Sequence, residues 1–74
     1  MPQLIECVPN FSEGRRKEVV DQIVKAITDV SGATLLDVEM DANHNRAVVT
    51  FVGDARAVEE AAFRAAEQAA QLID

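Results

Sequence analysis

The chain has 74 residues, 49% of them hydrophobic with three Phe and no Trp or Tyr, which allows one small unit with a limited core and excludes a disordered or collagen-like composition. Seven Lys and Arg against thirteen Asp and Glu give a formal charge of −6 with no basic stripe, so no nucleic acid is expected as a partner. Cys7 is the only cysteine, which excludes an internal disulfide and zinc spacing; with no signal peptide and no apolar run of ~20 residues, a cytoplasmic setting without membrane or metal is expected.

Leu4 to Val8 reads as a short strand closed by Pro9, which has no N–H to give to a ladder, and Pro9 to Gly14 reads as a loop. Ser12 is the expected N-cap of the helix that follows. In that helix Val19, Val20, Ile23, Val24 and Ile27 share one face, Lys17, Glu18, Asp21, Gln22 and Lys25 fill the other, and Gly32 is expected to end it. From Ala33 to Met40 the period is two, with Leu36, Val38 and Met40 on one face and Leu35, Asp37 and Glu39 on the other. Asp41 to Asn45 is turn chemistry and Arg46 to Val52 is rich in β-branched residues, so the two runs form a hairpin. Gly53-Asp54 breaks it. Asp54 is the expected cap of an Ala-rich second helix whose inner stripe is Val58, Ala62, Ala65, Ala69 and Leu72.

The order β-α-β-β-α implies an α+β fold, a ferredoxin-like split βαβ unit with two helices on one face of an antiparallel sheet and the last strand missing. The opposite face is expected to carry Leu4, Glu6 and Val8 from the first strand and Leu35, Asp37 and Glu39 from the second. Half apolar and half acidic, it suits packing on another domain or subunit, with carboxylates facing a cavity. The unpaired strand edge calls for cover, and Phe63 and Ala70 on the flank of the second helix await the absent strand.

Several residue groups are candidates for chemistry. Glu6, Asp37 and Glu39 form an acidic cluster if the first two strands pair, and crowded carboxylates raise one another's pKa; as isolated charges they are a solvated face. Asn10 sits at a strand's carboxyl end before a helix, where amides bind carboxylates, although a Pro-Asn turn accounts for it equally. Arg15, Arg16 and Lys17 oppose the dipole of a first helical turn, which an anion would offset, or else they reach into water. His44 stands in a polar turn without a metal-ligand partner at suitable spacing. Arg46 can hold a ligand carboxylate bidentately or pair with Asp41 or Glu39 across the hairpin. Cys7 reads as a small core residue.

Leu4-Ile-Glu-Cys-Val-Pro-Asn-Phe-Ser-Glu-Gly-Arg15, then Leu35-Leu-Asp-Val, His44-Asn-Arg-Ala-Val-Val-Thr-Phe-Val-Gly53 and Ala70-Gln-Leu-Ile-Asp74, together resemble the N-terminal subdomain of the glutamate formiminotransferase family, which in some organisms is fused to a cyclodeaminase. The resemblance covers residues 1–74 without gaps, as one partial subdomain. It implies transfer of the formimino group of N-formimino-L-glutamate to tetrahydrofolate, the co-substrate, in a tunnel between two ferredoxin-like subdomains. By position it implies ligand-facing roles for Asn10, Glu39, where the family often has aspartate, and Asn45 and Arg46. The family's general-base histidine belongs to a His-Pro-Arg stretch after a Leu-Ile-Asp segment, so His44 is not that residue and none of the 74 residues is assigned catalysis. The chain is therefore expected to be a fragment, inactive alone, whose partner is the remainder of the enzyme or a second copy. The alternative is a small stand-alone binding or regulatory module that self-associates.

Overall fold

The computed structural model describes residues 3–73. Four antiparallel strands and two helices follow in the order β1 (Ile5–Cys7), β2 (Asn10–Phe11), α1 (Lys17–Thr28), β3 (Thr34–Asp41), β4 (Arg46–Gly53) and α2 (Ala55–Leu72). The α+β class and the two-helix layer are as the sequence pattern predicts. The expected first strand, Leu4 to Val8, forms over Ile5–Cys7, and the expected loop from Pro9 to Gly14 contains a second short strand: Val8-Pro9 interrupts the ladder, but the Pro9 carbonyl accepts from the Val49 N–H at 3.1 Å and pairing resumes at Asn10. Proline removes a donor only, so its carbonyl still serves the sheet.

β4 is the central strand. It pairs with β1 and β2 along one side and with β3 along the other, so β1 is not beside β3. Ala47, Val49, Phe51 and Gly53 of β4 point to the helices and are buried, whereas Arg46, Val48, Thr50 and Val52 point away. Under the sheet, α1 inserts Val19, Ile23 and Ile27, and α2 inserts Ala57, Ala61 and Ala65, around Phe51 and Val49. The buried stripe of α2 shares Ala65 with the expected one but takes Ala57 and Ala61 in place of Val58 and Ala62, which lie with Ala69 and Leu72 at its margin. Alanines at its centre bring the helix close to the sheet. Phe63 on its flank is 68% exposed, and the outer edge of β1 pairs with nothing among the described residues.

Three local expectations are corrected. Ser12 is not the cap of α1: the helix opens five residues later, with Arg16 in extended conformation at the N-cap and no side-chain cap bond, so Ser12 is out of reach of the first-turn N–H groups. The Glu13 carboxylate takes the Arg15 and Arg16 N–H groups instead. Nor does α1 run to Gly32; it stops at Thr28, and Gly32, at φ +93°, occupies the turn into β3 where a left-handed residue is needed. The third correction concerns β3, where the register shifts between Leu35 and Asp37. This bulge turns Leu35 inward with Val38 and leaves Leu36 54% exposed, reversing the faces expected of both leucines.

Candidate functional site

The sheet face away from the helices is built by register. Asn10 and Glu39 both lie opposite Val48, one on each side of β4, so their Cα atoms are roughly 10 Å apart, two strand spacings. No hydrogen bond joins their side chains, which leaves room for a ligand group above Val48. Asp37 lies opposite Thr50 and Asp41 opposite Arg46. Glu6 lies opposite Val52, on the far side of β4 from Asp37 and Glu39. The expected three-acid cluster is thereby reduced to the pair Asp37 and Glu39, because β1 pairs with β4 and not with β3. Leu35 is also lost from this face; half-buried Val48, Thr50 and Val52 supply its apolar part, and no helix covers them.

An open hollow of about 600 Å³ at the hairpin end of this face is lined by Glu39, Met40, Asp41, Asn43, Arg46 and Val48. The tip is held by Asp41. Its Oδ1 accepts the N–H groups of Asn43 and His44 at 3.0 and 3.2 Å, and its Oδ2 lies 2.6 Å from Nδ1 of His44. The His44 contact, and then its backbone N–H, hold the Asp41 carboxyl below the usual 3.8. Arg46, by contrast, has no carboxylate within ion-pair distance among the described residues.

Asn45 has φ 51°, a left-handed conformation that asparagine tolerates, and its Oδ1 accepts the Gly14 N–H at 2.9 Å. A side chain at Gly14 would meet the Arg46 nitrogen and the Asp41 carbonyl oxygen at 2.4 Å, so only glycine lets the loop after β2 lie against the hairpin. This contact fixes Asn10 relative to Asn45 and Arg46, and its one mark in the sequence is a glycine after Glu13. The cations around the start of α1 are engaged by protein: Arg15 Nε donates to the Ala42 carbonyl, Arg16 pairs with Glu13, and Lys17 pairs with Asp21. Cys7 is half-buried and packs against the core. On the helix side, a hollow of about 350 Å³ between α1 and α2 is lined by charges including Lys25 and Arg64, which pair with Asp29 and Glu60. Among the described residues no group of three His, Cys, Asp or Glu can hold a metal, and no helix is long and apolar enough to cross a membrane.

Residues 4–74 match the family described as formiminotransferase domain, N-terminal subdomain. The chain is 54% identical over 74 residues to the formimidoyltransferase-cyclodeaminase of Mus musculus, covering 14% of that protein. It is 46% identical over 74 residues to the glutamate formimidoyltransferase of Streptococcus pyogenes serotype M1, covering 25% of it. With the glutamate formimidoyltransferase of Thermoplasma acidophilum the identity is 54% over 71 residues, covering 23%. The chain thus spans a quarter or less of the length of these relatives.

Proposed function

The chain belongs to the formiminotransferase family, matching its N-terminal subdomain, and from that premise we propose that it forms one wall of the ligand cleft of a glutamate formimidoyltransferase acting in the cytoplasm. In the reaction, the formimino carbon exchanges its bond to the glutamate amine for one to an amine of tetrahydrofolate. The folate nitrogen gives up a proton and the departing glutamate nitrogen takes one up.

The observation that carries this reading is the uncovered sheet face, where Val48, Thr50 and Val52 provide an apolar floor flanked by Asn10 on one side and Glu39 on the other. A flat, partly apolar folate ring suits the floor, and polar groups at its margin suit the ring's donors and acceptors. Arg46 takes a carboxylate of the substrate bidentately. Glu39 accepts from an N–H of the ligand, Asn10 hydrogen-bonds across the floor, and Asn45 adds the N–H groups of its amide while its oxygen holds Gly14. The 74 residues alone transfer nothing, since they supply one wall and no general base; His44 is paired with Asp41 at the exposed hairpin tip. The rest of the transferase closes the cleft.

The experiment is Arg46→Ala in the complete transferase that contains this segment, assayed for formimino transfer. A charge-assisted hydrogen bond is worth about 1.5–3 kcal/mol, so kcat/KM is expected to fall about 10- to 100-fold, mainly through KM for formiminoglutamate. Unchanged kinetics would remove Arg46 from the cleft and the uncovered face with it.

A further inference from the structure

We propose that Asp41 and His44 act as a clamp that keeps Arg46 available to a carboxylate ligand, making His44 a positioning residue for the open face. The inference rests on the reading of that face as a ligand wall. Asp41 is the cross-strand neighbour of Arg46, an arrangement in which opposite charges ordinarily pair. Here they do not. The Asp41 carboxylate is instead taken up on the turn side by three donors, the Asn43 and His44 backbone N–H groups and the His44 ring at 2.6 Å. Glu39, the next acid on the strand, lies opposite Val48 and so only diagonal to Arg46, and it makes no ion pair with it. The guanidinium therefore borders the 600 Å³ hollow without a carboxylate partner among the described residues. Were the ring of His44 removed, Oδ2 of Asp41 would be released to its cross-strand neighbour, and a ligand carboxylate would have to displace it.

The test is titration of the full 74-residue chain with glutarate, a simple dicarboxylate, following the Arg46 Nε resonance and the Val48 amide by NMR. The parent chain is expected to show saturable shifts. His44→Ala is expected to weaken glutarate binding about two- to five-fold, the range of an exposed ion pair converted to affinity. Asp41→Asn in the His44→Ala background restores parental affinity, because Asn keeps the Oδ1 acceptor for the turn but no charge to offer Arg46. Asp41→Asn alone binds at least as tightly as the parent. The proposal is overturned if the parent shows no saturable shift, if His44→Ala binds like the parent, or if Asp41→Asn fails to restore binding. None of these readouts involves transfer chemistry. A full-length protein that binds glutarate in this pattern but transfers nothing defeats the transferase reading and leaves the clamp standing.

Discussion

Glu13 illustrates how one side chain can organise two distant helix ends. It is the one buried acid among the described residues, 5% exposed, and its carboxylate accepts the Arg15 and Arg16 N–H groups and pairs with the Arg16 guanidinium at 2.7 Å. Arg16 also donates to the Leu72 carbonyl at 3.2 Å, so α2, which has no basic residue in its last turn, receives its C-terminal cation from the segment before α1. The Arg16 side chain, then its backbone N–H, hold the Glu13 carboxyl below the usual 4.5. Its stabilisation is therefore present above about pH 4.5 and is lost as pH falls through the lower folded value, since the unfolded chain takes up the proton first. Glu13→Gln is expected to lower the urea midpoint at pH 7, with the gap to the parent shrinking below pH 4.5. A gap independent of pH would mean that the charge is not what matters. In the sequence Glu13 reads only as a partial offset to the cations that follow it, because the Leu72 carbonyl that its partner Arg16 also reaches lies at the far end of the chain. Arg46 and Glu39 were legible as candidates from residue type and strand parity, whereas the carbonyl bond of Asn45 to Gly14 was not.

The elements divide by the kind of signal each carries. Helix α1 shows its buried face as a run of branched residues, and Val19, Val20, Ile23 and Ile27 are buried as their spacing requires. Helix α2 has mostly alanine among its apolar residues, so its stripe can be read to within one position only; Ala57, Ala61 and Ala65 take the centre. Asp54 caps it as its residue type predicts, with Oδ1 accepting the Ala57 N–H at 2.8 Å. Strand β3 is where alternation fails, because one extra residue inverts the pattern before Asp37 without leaving a composition cue. Leu35→Ala is expected to cost about 2 kcal/mol, the lower end for a leucine against the core, and Leu36→Ala less than about 0.5 kcal/mol. Chemical denaturation of both variants checks this. Equal costs, or a reversal, would place the bulge elsewhere.

At the scale of the molecule, the core is small and centred on Phe51, the largest fully buried side chain. A chain of this length has a stability of roughly 4–11 kcal/mol, and Phe→Ala in a core removes about 3–5 kcal/mol. Phe51→Ala is expected to abolish most of the cooperative thermal transition seen by circular dichroism; a midpoint within a few degrees of the parent would mean that the sheet and helices do not depend on this side chain. The same smallness leaves one sheet face and the outer edge of β1 without cover among the described residues. What the sequence determined by itself was local: the helices and their apolar sides, the hairpin at Asp41 to Asn45, the Asp54 cap, and the family string around Pro9. Only the tertiary structure decided that β1 lies across β4 from β3, that β3 bulges at Leu36, that Gly14 meets the hairpin backbone, and that Asp41 turns to His44 and away from Arg46. Periodicity and capping are set by residues within a turn or two of one another, whereas strand register and the partner of a charge depend on segments that meet only when the chain closes on its core.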